Sequence, residues 1–131
     1  MKSLNSRLMV LGLFLFVVGC GGGAKEPTKY SVSGKVTLKG TPVENGSIRF
    51  VPGPGQPARD PDVAPIKQGE YSAKVTAGAK RVEIEVYTAT GPEFDGKPTN
   101  EQVAPAQYNS QSTLTKEIQA GTNKDVNFTL E

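Results

Sequence analysis

Residues 70–88, EYSAKVTAGAKRVEIEVYT, contain two short runs in which apolar and polar residues alternate. Such alternation is typical of a β-strand with one buried face, because successive side chains point to opposite sides of the strand. The first run spans residues 70–75 and the second spans residues 80–88, with Ala77 and Gly78 between them. We therefore predict two antiparallel strands that form a hairpin, connected by a glycine turn.

The same alternation continues on both sides of this stretch. It occurs upstream in residues 30–38 and 47–51, and downstream in residues 114–118 and 126–130. The turn Gly121-Thr122-Asn123 separates the last two runs, which makes them the clearest hairpin signal in the chain. Outside the N-terminal leader, no window of a dozen residues shows the 3.6-residue apolar period of a helix. The sequence thus predicts an all-β, antiparallel Greek-key sandwich of six or seven strands.

Two segments lack a strand pattern. Residues 52–69 contain five prolines, and residues 91–107 contain Asp95-Gly96 and Pro98. Proline and glycine at this density predict irregular surface loops. Long loops on a rigid scaffold often carry function, so both are candidates for a binding surface.

The N-terminus has the pattern of a secretory signal. Lys2 and Arg7 precede an apolar run over residues 8–18, which is shorter than the roughly 20 residues of a transmembrane helix. The following Val17-Val18-Gly19-Cys20 resembles the lipobox of bacterial lipoproteins. The resemblance implies cleavage before Cys20 and attachment of acyl chains to this residue, the only cysteine of the sequence.

These observations divide the chain into three parts. We predict a lipoprotein signal peptide over residues 1–19, the lipidated cysteine with a flexible tether over residues 20–29, and a β-sandwich domain over residues 30–131. The protein would then be exported and held on a cell-envelope membrane by the acyl chains on Cys20. Gly21 is not an aspartate, which by the sorting rule of Gram-negative lipoproteins favours the outer membrane over the inner.

Charge and composition exclude several functions. Without Lys2 and Arg7 the chain has as many basic as acidic residues, 13 of each. This balance argues against a nucleic-acid partner, which needs a basic patch. The adjacent basic pair Lys80-Arg81 is interpreted as a solvated strand end. The sequence has no histidine, the commonest general base and metal ligand. We therefore predict that the protein is not an enzyme and needs no cofactor.

Several segments together resemble one known family. The opening motifs are residues 33–36, 39–43 and 46–52, followed by 69–71 and 77–78; the closing motifs are 108–109, 112–114, 121–123 and 126–128. The opening motifs are similar to those of carboxypeptidase-regulatory-like domains, and the closing motifs resemble those of planctomycete lipoproteins that carry such a domain. The resemblance covers residues 30–131. It implies a transthyretin-like sandwich of seven strands, without catalytic residues, that acts as a structural or interaction module.

Two sets of residues are candidates for ligand binding. Asp60 and Asp62, joined by Asp95 or Glu101, could supply oxygen ligands to calcium. Asp60-Pro61-Asp62 lacks the ligand density of a calcium loop, so the alternative is solvated carboxylates, and we predict no metal site. The second set is aromatic: Tyr87, which faces away from the apolar side of its strand, and Phe94 and Tyr108, within or beside the second long loop. These rings could stack on a sugar or a peptide.

Two classes of function remain. The favoured one is a non-catalytic, membrane-anchored envelope lipoprotein that acts as a structural or protein-interaction module, with an envelope protein or glycan as partner. The alternative is a carbohydrate- or peptide-binding module that uses the loops of residues 52–69 and 91–107. The alternative requires these loops to be ordered around aromatic or paired polar groups.

Overall fold

A computed structural model describes residues 22–131, which form eleven β-strands and one 3-10 helix over Ala106–Tyr108. The strands are β1 (Lys29–Leu38), β2 (Thr41–Pro42), β3 (Asn45–Pro52), β4 (Asp62–Lys67), β5 (Glu70–Thr76), β6 (Gly78–Thr88), β7 (Glu93–Phe94), β8 (Lys97–Pro98), β9 (Glu101–Gln102), β10 (Thr115–Ile118) and β11 (Phe128–Leu130). Residues 22–28 are exposed and have no regular structure. The predicted signal peptide and Cys20 lie outside the described residues. Among the described residues, no helix is long and apolar enough to span a membrane.

Nine of the strands form one curled sheet. Seven of them follow the order β10-β6-β3-β4-β5-β1-β11, while β2 pairs with β1 and β9 pairs with β6. All neighbours on this path are antiparallel except β1 and β11, which are parallel. Strands β3, β4 and β5 follow one another in the chain and are neighbours in the sheet. β1, which precedes them in the chain, lies beside β5 and not beside β3, and this order is the Greek-key arrangement. The predicted fold class, an all-β sandwich, is confirmed.

The core consists of the apolar residues that alternate along these strands. Ile48 and Phe50 of β3 lie opposite Ile84 and Val82 of β6, and all four are fully buried. The ring of Phe50 also lies 6.1 Å from that of Tyr71 on β5, which links two non-neighbouring strands through the core. The buried apolar residues are Val32, Val36, Val43, Ile48, Phe50, Ala64, Ile66, Tyr71, Ala73, Val75, Val82, Ile84, Val86, Ala104, Ile118, Val126 and Leu130.

Both predicted hairpins are wrong, because the two strands of each hairpin do not pair with each other. β5 pairs with β1 and β4, whereas β6 pairs with β3, so two strands lie between β5 and β6. Gly78 has a φ of 103°, a conformation that favours glycine, and the chain uses it to cross to another part of the sheet. In the same way β10 pairs with β6 and β11 pairs with β1. Alternation shows which face of a strand is buried, but it does not show which strand lies beside it.

The prediction of an irregular loop over residues 52–69 is wrong for its second half, which forms β4. Asp62, Ala64 and Ile66 are buried, and the residues between them are exposed. Val63 therefore points outward and Asp62 points inward, whereas a strand usually buries its apolar residues and exposes its charged ones. For this reason the sequence pattern does not predict the strand. Pro65 is tolerated because β5 pairs with β4 only at Ile66 and Lys67, which leaves one side of Pro65 free of a strand partner.

Backbone hydrogen bonds hold the chain segment between β10 and β11 on β1, among them one of 3.0 Å from the N–H of Val126 to the carbonyl of Ser33. Tyr71 donates a hydrogen bond of 2.7 Å from its hydroxyl to the carbonyl oxygen of Val126. A Cβ atom on Gly34 would overlap the same carbonyl oxygen, so only glycine fits at this point of β1.

The strands define two ends of the domain. We call the end that contains Lys29, Asp62 and Thr76 the tether end, and the end that contains Leu38 and Thr88 the distal end. β6 runs from the tether end to the distal end, and its eleven residues span roughly 30 Å at about 3.3 Å per residue. The tether therefore enters the domain at one end, and the end of β6 lies at the other.

Candidate functional site at the distal end

The distal end contains a pocket of about 410 Å³, a volume within the usual range of ligand pockets. It lies between the segment that connects β1 to β3 and the end of β6, where β9 begins to cover the sheet edge. Its apolar lining consists of Leu38, Pro42, Val43, Val86, Ala89 and Val103, and its polar lining of Thr41, Glu44, Asn45, Tyr87, Thr88 and Asn100. The pocket thus combines an apolar interior with several hydrogen-bonding groups.

Backbone hydrogen bonds hold the apolar part of the pocket in place. Val43 donates its N–H to the carbonyl of Val36 at 3.0 Å, and Val103 donates to the carbonyl of Val86 at 2.9 Å. Val43 and Val86 are buried, whereas Val103 is one of three large apolar residues that the described chain exposes. The pocket is therefore part of the rigid sheet, with Val103 exposed on its lining.

Tyr87 lines this pocket with a half-buried side chain. Its hydroxyl donates a hydrogen bond of 2.5 Å to Oε2 of Glu85, and Ser47 donates to the same oxygen at 3.3 Å. The bond to Glu85 raises the pKa of Tyr87, because the carboxylate accepts from the protonated hydroxyl. The ring is thus fixed at the edge of the pocket. The sequence correctly indicates an outward-facing Tyr87 but gives no sign of the pocket beside it.

Phe94 lies on a separate hairpin at the same end of the domain. β7 and β8 pair with each other, and the turn residues Asp95 and Gly96 have φ values of 54° and 73°, as in the tight two-residue turns of hairpins. Phe94 is 79% exposed, the most exposed of the large apolar residues in the described chain, and it does not line the pocket. Lys97 lies directly opposite Phe94 in this hairpin, so their side chains share one face.

Tyr108 has a structural role. Its ring packs on the core, and its hydroxyl accepts a hydrogen bond of 3.0 Å from the backbone N–H of Glu131. The three aromatic residues that the sequence singles out therefore have different positions: Tyr87 lines the pocket, Phe94 projects from the hairpin and Tyr108 is packed against the domain. They do not form one stacking platform.

The two long loops lie at opposite ends of the domain. Gly53 donates its N–H to the carbonyl of Ala79 at 2.9 Å, which places residues 53–61 at the tether end. Gln102 and Glu101 pair with Tyr87 and Thr88, which places the second loop at the distal end. The structure therefore does not bring the two loops into one binding site.

The candidate calcium ligands are also separated. Asp62 is buried at the tether end, where its carboxylate lies 2.7 Å from Nζ of Lys29 and accepts a hydrogen bond of 3.0 Å from the N–H of Thr76. Burial alone would raise the pKa of Asp62, but the bonds from Lys29 and Thr76 outweigh it and lower this pKa. Asp60 is exposed, and Glu101 lies at the distal end. Residues 22–131 contain no group of three or more side chains that could hold a metal ion.

The interpretation of Lys80 as part of a solvated strand end is wrong. Lys80 is only 2% exposed, because it shares the inward face of β6 with Val82, Ile84 and Val86. Its ammonium group donates a long hydrogen bond of 3.4 Å to the carbonyl of Ala77. Burial lowers the pKa of Lys80, and the nearby charge of Arg59 lowers it further. The phase of the alternation in residues 80–86 is the sequence signal that could have revealed this burial.

Among solved structures, the chain is similar to a DUF3823 family protein from Parabacteroides merdae, with 19% sequence identity and a TM-score of 0.44. The match covers 79% of this chain and 46% of that protein, so the chain spans about half of its length. No protein-family model matches the sequence, and no curated protein matches it. Membership in the carboxypeptidase-regulatory-like lipoproteins stays a prediction.

Proposed function

We propose that this protein is a non-catalytic lipoprotein of the cell envelope, anchored by acyl chains on Cys20, whose β-sandwich contacts another protein through its distal end. The anchor rests on the lipobox-like residues 17–20. Each buried acyl CH₂ contributes about 0.8 kcal/mol, so one chain binds a membrane only marginally and two or three bind it durably. Gly21 favours the outer membrane as the site of anchoring.

The observation that carries this proposal is that the tether and the candidate contact surface lie at opposite ends of the domain. The tether enters at Lys29, whereas the pocket and the Phe94 hairpin lie at the opposite end, about one β6 length of roughly 30 Å away. The nine residues 21–29 reach at most about 30 Å when extended. An anchor at Cys20 therefore keeps the tether end close to the bilayer and leaves the distal end available to partners.

Exposed apolar residues at the distal end support a protein partner. Phe94 and Val103, two of the three large apolar residues exposed in the described chain, belong to the 91–107 segment. Aromatic side chains such as phenylalanine often anchor protein interfaces, where they become fully desolvated. The third such residue, Val63, lies on β4, on the outer face of the sheet.

A second candidate function is the binding of a carbohydrate or a peptide in the distal pocket. It is favoured by the ring of Tyr87, which is fixed by Glu85 at the edge of a pocket that also presents Asn45 and Asn100. An aromatic ring beside amide groups is a common way to bind such ligands, because it combines stacking with hydrogen bonds. This function uses the distal end alone and not the loop at the tether end.

The anchor is tested by expression of the full chain and its Cys20→Ala variant, followed by membrane fractionation and labelling with a fatty-acid analogue. We expect the wild-type chain to be labelled and to remain in the membrane fraction after a salt wash. The Cys20→Ala variant should carry no label and appear in the soluble fraction. A variant that still fractionates with the membrane would contradict the proposed anchor.

The contact surface is tested by affinity capture from detergent-solubilised native membranes, read by mass spectrometry. We expect one envelope protein to be enriched with the wild-type chain and lost with Phe94→Ser. Val63→Ser is the matched control, since it also removes an exposed apolar side chain but lies elsewhere. Equal enrichment with Phe94→Ser would contradict a distal contact. Loss of a glycan with Tyr87→Ala alone would favour the second candidate function.

A further inference from the structure

The hairpin and the pocket at the distal end have complementary chemistry. The pocket has an apolar interior with no side chain of the domain filling its 410 Å³. The hairpin presents a phenylalanine that is 79% exposed. The hairpin therefore presents an apolar side chain that is not buried, and the pocket presents an apolar surface that no side chain covers.

The hairpin contains two acidic residues, Glu93 and Asp95, and one basic residue, Lys97. On the face that carries Phe94, its charge is complementary to that of the pocket. Glu44 is the single charged residue that lines the pocket. Lys97 is on the same face of the hairpin as Phe94, because the two residues are directly opposite each other. A hairpin that inserts Phe94 into the pocket would therefore bring a lysine beside the glutamate.

We propose that the partner of the distal end is a second copy of this chain, and that Phe94 of each copy occupies the pocket of the other. This inference rests on the proposed function in one respect, namely that the distal end is the contact surface. Because the pocket and the hairpin lie at the same end, a two-fold axis satisfies both contacts at once and closes the assembly as a dimer.

The geometry is compatible with anchoring of both copies in one membrane. Two domains that stand side by side, related by an axis normal to the bilayer, have both tether ends facing the membrane. Two aromatic anchors and a few flanking residues make a small interface, which is typical of weak association. Confinement to a membrane raises the effective concentration and so favours such a dimer without new contacts.

The test is sedimentation equilibrium of the full chain in density-matched neutral detergent, at concentrations up to about 1 mM, where an association with a Kd of about 1 mM is detectable. We expect a monomer–dimer equilibrium that is weakened at least tenfold by Phe94→Asp. Val63→Asp, the matched control at another exposed apolar residue, should leave the equilibrium unchanged. A chain that stays monomeric throughout, or an equilibrium unaffected by Phe94→Asp, would overturn the proposal.

A charge exchange shows whether the contact is between copies. Glu44→Lys and Lys97→Glu should each weaken self-association several-fold, because each places like charges at both contacts. An equimolar mixture of the two variants should associate as well as the wild type, since every contact in the mixed dimer again joins opposite charges. Both residues are exposed, so the fold should be retained in both variants. A mixture that associates no better than the separate variants would contradict this arrangement.

Sedimentation and affinity capture together separate the proposed self-association from the proposed function. If the chain is monomeric while Phe94→Ser abolishes capture of a different protein, self-association is wrong and the distal contact surface remains. If Phe94→Ser affects neither sedimentation nor capture, both are wrong.

Discussion

The hydroxyl of Tyr71 donates a 2.7 Å hydrogen bond to the carbonyl of Val126, a residue 55 positions later in the sequence. Tyr71 is buried on β5, and Val126 belongs to the segment that leads into β11. The bond therefore joins a central strand to the last part of the chain. It also satisfies a carbonyl group that lies against Gly34 in the interior.

Replacement of Tyr71 by phenylalanine should destabilise the domain. Tyr71→Phe retains the ring but leaves the Val126 carbonyl without this partner, and an unsatisfied buried group costs about 1–3 kcal/mol. Urea unfolding at pH 7 measures the loss. Ser72→Ala on the exposed face of the same strand serves as the control and should change stability by less than about 0.5 kcal/mol.

The same substitution should change the response to alkaline pH. Burial raises the pKa of Tyr71 above its ordinary value of 10.0, so the folded state retains this proton better than the unfolded state. Its contribution to stability is present below pH 10 and is lost as the pH rises through the folded pKa. The wild type should therefore lose more stability above pH 10 than Tyr71→Phe. Parallel stability curves for the two proteins would contradict this prediction.

Gly34→Ala should be among the most damaging small substitutions in the domain. The added methyl group would overlap the backbone of Val126, which cannot move without disrupting the segment that leads into β11. Overpacking of a well-packed interior typically costs about 1–3 kcal/mol. Gly23→Ala is the matched control, because nothing lies near a Cβ atom at that position. Equal thermal stability of the two variants would show that the close approach is wrong.

Asp62→Asn should weaken the tether end and remove an acid-sensitive part of the stability. The folded pKa of Asp62 lies below its ordinary value of 3.8, so its contribution is present above that pH and is lost as the pH falls through the folded pKa. The variant keeps the shape of the side chain but loses the charge paired with Lys29, and we expect a loss of about 1–3 kcal/mol at pH 7. Denaturation at pH 7 and pH 3 should show a difference that shrinks at the lower pH.

Lys80→Met should stabilise the protein. Lys80 has its ammonium group in the interior with one long hydrogen bond, and burial lowers its pKa. Replacement of buried ionic groups by apolar side chains of similar volume is often neutral or stabilising by about 1–4 kcal/mol. Lys116→Met, at an exposed position of β10, is the control. A loss of stability in Lys80→Met at pH 7 would mean that the buried charge is well compensated.

Sequence alternation predicts the positions of most strands but not their partners. β1, β3, β5 and β6 begin and end within about two residues of the predicted runs, because the period of two depends only on which side of each strand is buried. Partner choice depends on contacts between distant parts of the chain, such as Tyr71 with Val126. β4 was missed because its buried face carries Asp62 while its exposed face carries Val63 and Pro65.

The candidate site was only partly predictable for a similar reason. The exposure of Tyr87 and the location of Phe94 in a long loop follow from the local sequence. The pocket does not, because its apolar lining comes from three separate segments that meet only in the folded chain: Leu38 and Val43 from the connection between β1 and β3, Val86 from β6, and Val103 from the segment after β9. The separation of the two loops depends equally on the strand order, which alternation alone does not determine.

The most direct test of the distal contact surface is photo-cross-linking in native membranes. A photoreactive p-benzoylphenylalanine would replace Phe94 in one full-length variant and Val63 in another. We predict one discrete cross-linked product at position 94, in the membrane fraction, and none at position 63. No product at position 94, or the same product at both positions, would contradict the claim that this domain contacts its partner through its distal end.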